Sequence, residues 1–272
     1  MYKKCDKVLS RKAYLANMFF LLKKSVVPPR LLRCILYFFF VLSLYSNCFS
    51  GTFPIDSLIE KKGFFYEVET GKKFSGTVIS YYKNSQIKHT GLLRFGRLEG
   101  EWRHYEENGR IWLIENYQAG KKQGEWLRYH ISGLKWKFGQ YLQDKKIGIW
   151  KFYSIDGELI EKGEFLNDKK NGIWEKYHES GGIWVQESFK NDLKHGISRF
   201  YYPDGVLGNI ETWKHGLQEG IWSMFYPGGS LRKKGAFSLG KKVGLWKTFS
   251  KSGDLHLTEV WDNGRLLRSE EP

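Results

Sequence analysis

Cysteine and proline are both scarce in this sequence of 272 residues. It contains three cysteines and six prolines, and no cysteine follows Cys48. The chain after that position therefore has no disulfide framework, no thiolate metal site and no cysteine nucleophile. Long uninterrupted segments are also lacking, because a glycine or an Asp-Gly pair occurs every nine to fifteen residues over most of the chain. This spacing excludes a fold built from long helices.

Aromatic residues are abundant by contrast. The chain has 11 Trp, 16 Tyr and 19 Phe, which together make up 17% of it, and it has 30 Gly. Aromatic side chains favour strands, and glycines mark turns. The composition therefore predicts an all-β protein with many short strands.

The formal net charge of +15 is unevenly distributed. Residues 1–33 hold nine Lys or Arg against one acid, so this segment contributes +8 and all later residues together only +7. A nucleic-acid surface needs its cations clustered on one face, whereas acids are interspersed with bases throughout the later residues. We therefore expect no nucleic-acid partner.

Residues 34–45 form an almost unbroken apolar run. This run is shorter than the roughly 20 residues that a membrane-spanning helix needs, and basic residues between positions 23 and 33 precede it. Both features are typical of a secretory signal. Residues 1–50 are thus predicted to be a signal peptide or signal anchor, and a start at Met18 would give a signal of conventional length.

The end of this segment decides how the protein would be anchored. Residues 44–48 resemble a relaxed lipobox, the bacterial lipoprotein signal whose cysteine becomes the lipidated first residue, although Tyr45 and Asn47 depart from the strict pattern. Cys48 is therefore the lipidation candidate, which predicts an exported lipoprotein of the outer or cytoplasmic membrane. Two alternatives stay open: cleavage near Ser50, which would release a secreted or periplasmic protein, and an uncleaved anchor.

A 24-residue repeat fills most of the remaining sequence. Eight glycines lie 24 residues apart without insertion or deletion, and we count each unit from its glycine as position 0. Position 2 is Trp in six units, position 5 is aromatic in all eight, and position 20 is always Gly or Asp. Position 9 is Gly in seven units, and position 17 is aromatic in seven. The leading glycines are Gly76, Gly100, Gly124, Gly148, Gly172, Gly196, Gly220 and Gly244.

Each unit has the pattern of a β-hairpin. In the unit that begins at Gly148, residues 148–154 favour a strand, 155–157 a turn and 158–166 the return strand, and residues 167–171 turn the chain into the next unit. Positions 2 and 5 differ by an odd number, so a bulge or local twist is needed if both aromatic side chains face the same side.

These features predict an all-β fold, an elongated antiparallel meander of tandem 24-residue β-hairpins. The eight repeats are expected to span residues 76–267. Residues 51–75 are predicted to be a linker and an N-terminal capping strand, and residues 268–272 a polar tail. Because a single hairpin is marginally stable, neighbouring units must share a core.

The unit itself resembles a known repeat. Asp-Lys-Lys-Asn-Gly-Ile-Trp-Glu-Lys-Tyr at 168–177 and Tyr-Pro-Asp-Gly at 202–205 are similar to the MORN repeat, and more narrowly to its bacterial variant in proteins labelled YwqK-type antitoxins. The resemblance covers residues 76–267. It implies a stack of β-hairpins that serves as an interaction or membrane-associating platform. An antitoxin role does not transfer readily to an exported protein.

The sequence contains no recognisable catalytic or metal-binding pattern. Seven histidines are scattered over the chain, and no H-E-x-x-H, paired Cys or G-x-S-x-G motif occurs. Only His130 and His178 share a repeat position, and we expect both to be exposed strand residues. We therefore expect no enzyme, no catalytic residue, no metal site and no cofactor.

Two sets of residues remain as surface candidates. Trp112, Trp136 and Trp184 all occupy position 12, where they either extend the core or form an exposed aromatic strip that binds a polymer or partner. The first lysines of four Lys-Lys pairs are expected along one edge, either as solvated turn residues or as a basic edge that adheres to anionic lipid or polysaccharide. These lysines are Lys121, Lys145, Lys169 and Lys241.

The leading hypothesis is a non-enzymatic envelope protein that presents an extended β-surface to a protein partner or an envelope surface component, with membrane attachment at its N-terminal end. One alternative is a cytoplasmic YwqK-like antitoxin whose apolar run is not a signal. The other is a secreted carbohydrate-binding module that uses the three tryptophans at position 12.

Overall fold

Strands make up nearly all the regular structure of residues 51–272, the part of the chain that the computed structural model describes. Nineteen strands form one sheet, and two more form a small separate sheet. A single 3-10 turn, Ile55–Ser57, is the one helical element of this described part. The predicted signal segment, with Met18 and Cys48, lies outside the described residues.

The strands divide into a cap of residues 51–75 and the repeats that follow. The cap contains β1 (Phe53–Pro54), β2 (Leu58–Lys61) and β3 (Phe64–Glu67). The repeats contain β4 (Gly76–Tyr81), β5 (Ile87–Arg94), β6 (Arg97–Tyr105), β7 (Ile111–Gln118), β8 (Lys121–Tyr129), β9 (Lys135–Leu142), β10 (Lys145–Tyr153), β11 (Leu159–Leu166), β12 (Lys169–Tyr177), β13 (Ile183–Lys190), β14 (Leu193–Lys194), β15 (Gly196–Tyr201), β16 (Leu207–Lys214), β17 (Leu217–Phe225), β18 (Leu231–Ser238), β19 (Lys241–Phe249), β20 (Leu255–Asp262) and β21 (Arg265–Glu270).

From β4 to β21 the chain runs as one antiparallel meander, in which strands next to each other in sequence are also hydrogen-bonded neighbours, except that β14 and β15 both pair with β13. This confirms the predicted all-β fold of tandem hairpins. The strand boundaries differ in one respect, because the Lys-Lys pairs are not turn residues. Lys169 already begins β12, so each long strand starts at the end of one unit and continues into the next.

The turns between units are tight because only two residues make each of them. Asn167 and Asp168 both have positive φ, 52° and 68°, the combination that defines a type I′ hairpin turn. Each such turn also bonds to the preceding unit: the amide of Asp168 donates to the carbonyl of Lys146 at 3.1 Å, and its carboxylate accepts from the Lys146 amide at 2.8 Å. The turns therefore form a hydrogen-bonded ladder along one edge of the sheet, which we call the turn edge.

A second ladder runs along the opposite edge. The side chain at position 6 often bonds to the backbone of the next unit, as where the Tyr202 hydroxyl donates to the carbonyl of Phe225 at 2.9 Å. His130 and His178 use this same contact, and each Nε2 lies 3.0 Å from the carbonyl oxygen of the next unit's position 5. The prediction that they are exposed strand residues is wrong: both are half-buried, just beyond the end of a strand, and join neighbouring units.

The core is a ladder of aromatic rings on one face of the sheet, which we call the aromatic face. Trp174 packs edge-to-face against Phe165 at 4.9 Å and Phe189 at 6.5 Å between ring centroids. Tyr177 lies three residues further along the same strand, and its hydroxyl donates to Glu175 instead. Positions 2 and 5 therefore face opposite sides, as strand alternation requires, and no bulge is needed between them.

Position 15 controls how deeply each tryptophan is buried. Four tryptophans lie over a glycine at position 15 of the preceding unit, and all four are at most 4% exposed. Trp126 and Trp222 instead pair with Glu115 and Glu211 and are only half-buried. A side chain at position 15 thus occupies the space that the indole ring otherwise fills. The four Gly-Trp pairs are Gly91–Trp102, Gly139–Trp150, Gly163–Trp174 and Gly235–Trp246.

The N-terminal end of the repeats is closed by the cap. We predicted one capping strand, whereas the structure has a hairpin, β2 and β3, that forms its own sheet, and a short β1 that pairs in parallel with β4. Phe74 places its ring in a cluster with Val78, Leu93 and Trp102. The cap therefore provides the apolar cover that a preceding unit provides elsewhere.

Candidate interaction surfaces

One face of the sheet exposes a row of aliphatic side chains. Position 1 is aliphatic in five consecutive units, and these side chains are between 40% and 71% exposed. Because position 1 alternates with the tryptophan at position 2, the row lies on the face opposite the aromatic face, which we call the outer face. The row was not predicted from the sequence, although position 1 is aliphatic with the 24-residue period. The row consists of Ile149, Ile173, Ile197, Ile221 and Leu245.

The lysine pairs are divided between the two faces. In β12, Lys169 is exposed, whereas the ammonium of Lys170 lies 3.8 Å from the ring centroid of Trp174. Pairing with β11 agrees with this division, because Lys170 lies opposite the core residue Phe165 and Lys169 opposite Leu166. The second lysine therefore covers the aromatic ladder, and the first points to the outer face.

The predicted basic edge is present as a row on the outer face. Its four lysines are all exposed and share position 21, directly after the type I′ turns. Leu193 and Leu217 occupy the same position in the two units between Lys169 and Lys241, and both are about half exposed. The edge is thus basic at both ends and apolar in its middle. The four lysines are Lys121, Lys145, Lys169 and Lys241.

Charges on the aromatic face are largely paired, whereas the four edge lysines are not. Four ion pairs join lysines and glutamates of the aromatic face at 2.6–3.3 Å. None of the ion pairs among the described residues involves the four edge lysines. The edge therefore retains positive charge that is available to a partner. The four pairs are Lys122–Glu115, Lys170–Glu161, Lys194–Glu187 and Lys233–Glu259.

The three tryptophans at position 12 do not form one exposed strip. Each is the extra residue of a β-bulge, which places it outside the ladder of positions 2 and 17. Trp112 and Trp136 are half-buried and share the guanidinium of Arg128, at 5.3 and 4.5 Å from their ring centroids. Only Trp184, 42% exposed, presents a large open surface. The set therefore lies outside the core ladder, and its role in binding a polymer or partner stays a prediction.

The most strongly perturbed acid of the described residues is Glu115 at position 15. Its side chain is 7% exposed and lies 2.6 Å from the ammonium of Lys122 and 3.3 Å from Nε2 of His104. The Tyr117 hydroxyl and the Trp126 indole N–H donate to the same carboxylate at 2.8 and 3.0 Å. Burial alone would raise the pKa of Glu115, but the hydrogen bonds and the Lys122 charge lower it to about 2.

This carboxylate predicts acid sensitivity. Because the folded pKa is depressed, the stabilisation is complete above the unfolded value near 4.5 and disappears as the pH falls toward about 2. We expect the free energy of unfolding to fall by about 3 kcal/mol over that range. Urea unfolding at a series of pH values would show this loss in the native protein and a much smaller loss in Glu115→Gln. Glu101→Gln, on the surface, is the matched control, and equal pH profiles in all three proteins would contradict the assignment.

Residues 51–272 offer few features of other site types. No helix of this part is long and apolar enough to cross a bilayer. The same residues contain no cluster of three or more His, Cys, Asp and Glu side chains arranged to hold a metal ion. The geometry instead offers surfaces: an aliphatic row, a basic edge and a cleft at the cap.

Similarity to solved structures is weak. The crystal structure of TarM is 18% identical over 37% of this chain and 19% of its own, with a TM-score of 0.26. An alternansucrase in complex with isomaltononaose is 14% identical over 76% of this chain and 16% of its own, with a TM-score of 0.19. A TcdB2-TccC3 structure is 13% identical over 73% of this chain and 14% of its own, with a TM-score of 0.17. This chain spans about a fifth or less of those chains, and such scores support no inference about activity.

The comparison with protein families is more informative. No curated protein sequence matches the chain significantly. Four segments match the family described as MORN repeat variant, residues 98–119, 170–191, 194–215 and 218–238. Each of the four segments starts with the second residue of the strand that follows an inter-unit turn, and each of the first three ends at the first residue of a type I′ turn. The YwqK-type subgroup stays a prediction. The hairpin units that build this sheet are of one kind, and the chain carries MORN repeats of the variant type in tandem.

Proposed function

We propose that the protein is a non-enzymatic, exported interaction protein that is anchored by lipid at Cys48 and docks its outer face on an anionic membrane surface. The observation that carries this proposal is the juxtaposition of the aliphatic row and the basic edge on one face. In a MORN-repeat array without a catalytic cluster in its described part, a repeated surface is the feature best suited to a function.

The spacing of the two rows suits a lipid surface. Positions 21 and 1 lie four residues apart, and the bulge at positions 0 and 1 makes their separation shorter than the about 13 Å of a regular strand. Successive units follow at about 10 Å, the width of two strands. Aliphatic side chains can therefore enter the boundary between headgroups and acyl chains while the lysines beside them meet anionic headgroups.

The most apolar part of the outer face lies where the units that begin at Gly172, Gly196 and Gly220 join. There Leu193 and Leu217 replace the edge lysines and lie close in sequence to Ile197 and Ile221. Cations border this patch. Lys190 and Lys214 pair directly across from the two leucines, and Lys169 and Lys241 occupy the edge on either side. An apolar centre with a basic rim is complementary to an anionic bilayer.

The decisive experiment measures binding of the purified full chain to vesicles of phosphatidylcholine with and without phosphatidylglycerol. Replacing Ile197 and Ile221 together with serine should weaken binding to anionic vesicles about thirtyfold, since each loses about 1 kcal/mol of partial burial. Replacing Lys169 and Lys241 together with glutamate should weaken it by at least about tenfold, since each basic residue contributes about 1 kcal/mol.

Ile131→Ser is the matched control, because Ile131 is 78% exposed in a hairpin loop at the opposite edge. It should bind vesicles as the native protein does. Equal binding to neutral and anionic vesicles would contradict the proposal, and so would retention of an anionic polysaccharide together with no vesicle binding.

Anchoring at Cys48 is tested in cells that express the full chain. Metabolic palmitate labelling followed by fractionation should give a labelled membrane protein, and Cys48→Ser should lose the label. An unlabelled native protein in the soluble envelope fraction would indicate cleavage near Ser50. An unlabelled protein in the cytoplasm would favour the YwqK-like antitoxin alternative.

A further inference from the structure

A cleft between the cap and the first repeats has the features of a separate binding site. It encloses about 470 Å³, within the usual size range of ligand sites. Two cap residues and six residues of the first two turns and their strands line it. We call it the cap cleft, and its lining is Phe64, Lys73, Arg94, Phe95, Arg97, Glu99, Gln118 and Ala119.

The walls of the cap cleft are fixed by backbone hydrogen bonds. The amide of Phe65 donates to the carbonyl of Gly96 at 2.8 Å, and the amide of Gly96 donates to the carbonyl of Phe74 at 2.7 Å. A Cβ at Gly96 would lie 2.7 Å from the Phe65 oxygen, so the turn approaches the cap as closely as a glycine permits. The cleft is therefore preorganised, which reduces the entropy cost of binding.

Three cations line the cap cleft. The ammonium of Lys73 lies 3.7 Å from the ring centroid of Phe64, and the guanidinium carbon of Arg97 lies 4.4 Å from it. Arg94 lies 6.0 Å from the ring centroid of Phe95. None of these cations takes part in an ion pair among the described residues. The one lining carboxylate, that of Glu99, already accepts the amide of Ala119 at 2.8 Å.

The cap cleft also offers an apolar platform. Phe95 is 69% exposed in a type I′ turn, beside the half-buried Phe64. A ligand that matches this lining carries anionic groups next to an apolar group. The cations are distributed along two aromatic rings rather than gathered around one point, which suits several separated carboxylates better than a single small anion.

We propose that the cap cleft binds an acidic peptide segment that has an apolar residue beside its carboxylates. The carboxylates pair with Lys73, Arg94 and Arg97, and the apolar residue packs on Phe95. The site would recruit an acidic partner protein to one end of the repeat array. It differs in ligand and location from the apolar patch of the outer face.

Fluorescence anisotropy of a labelled peptide, Glu-Asp-Phe-Glu-Asp, with the purified full chain tests the proposal. Arg97→Glu should weaken peptide binding about tenfold, as for the loss of one strong charge pair. Arg265→Glu is the matched control, because it makes the same change at position 21 of the last unit, and it should leave the affinity unchanged. Arg94→Gln, which breaks no hydrogen bond of the fold, should weaken binding about threefold even if Arg97→Glu folds poorly.

Two further measurements test the role of Phe95 and distinguish peptide binding from vesicle binding. Phe95→Ala should weaken binding of this peptide, but it should not weaken binding of a peptide that has serine in place of the phenylalanine. Replacing Ile197 and Ile221 together with serine should weaken vesicle binding but leave the affinity for the peptide unchanged, so either proposal can fail without the other. Equal affinity of the native protein, Arg97→Glu and Arg94→Gln for the peptide would overturn the proposal. Full displacement of the peptide by an equal concentration of inorganic phosphate would overturn it as well.

Discussion

Replacement of Trp150 by alanine is expected to lower the free energy of unfolding by about 3–5 kcal/mol. Trp150 is 1% exposed, and its ring packs against Trp126 at 5.5 Å, Tyr141 at 5.3 Å and Phe165 at 5.9 Å between centroids. These rings belong to two successive units. The cavity would therefore weaken the interface between units as well as one hairpin, and in a repeat array that interface provides much of the cooperativity.

Guanidinium denaturation followed by far-UV circular dichroism measures this effect. Trp184→Ala is the appropriate control, because it removes the same side chain from a position that is 42% exposed and outside the ladder. It should cost only about 1 kcal/mol. Equal losses in the two variants would mean that the ladder of positions 2 and 17 is not the core.

The sequence predicted the fold well because every unit repeats the same local signals. An aromatic strand, a glycine turn and a second strand recur with one period, and any consistent solution must stack them as neighbours. The strand boundaries were less predictable. Lys169 looked like a turn residue beside Asn167 and Asp168, but a type I′ turn needs only two residues, so the lysine pair was free to begin the next strand.

The surfaces were harder to predict, because sequence period does not show which face is covered. Position 1 is aliphatic in five successive units, a pattern that would usually indicate core, yet the aromatic ladder lies on the other face and leaves the row exposed. The sequence left position 12 open as well. Trp112 and Trp136 could have been core or exposed residues, but a β-bulge places both beside Arg128. Bulges depend on cross-strand register, which one sequence does not encode locally.

The cap cleft was invisible for a different reason. Lys73 and Phe64 belong to the cap, which does not repeat, and they meet Arg97 only because the cap folds back as a hairpin against the first turn. A contact that occurs once leaves no periodic signal. Position 15, in contrast, is either glycine or glutamate in every unit of the sequence, and this residue predicts how deeply the tryptophan of the next unit is buried.

Gly163→Ala tests that rule most directly, and it is expected to cost about 3 kcal/mol although it adds only one methyl group. The new Cβ would lie 2.1 Å from the Trp174 ring. That ring is itself buried against Phe165 and Phe189, so it cannot move away without disturbing the ladder. The backbone of Gly163 does not have positive φ, so conformational strain does not add to the steric cost.

Gly182→Ala provides the control, because a Cβ there would meet nothing within 4 Å and its φ is not positive. It should change stability by no more than about 1 kcal/mol, and in the stabilising direction. The double variant Gly163→Ala with Trp174→Ala should cost clearly less than the sum of its two single changes, since the clash requires both groups. Additive losses of stability would show that the glycine acts through the unfolded chain and not by leaving space for the indole ring. Trp126 agrees with the steric reading in the native protein: where Glu115 occupies position 15, the ring sits further out and bonds to the carboxylate instead of packing over the backbone.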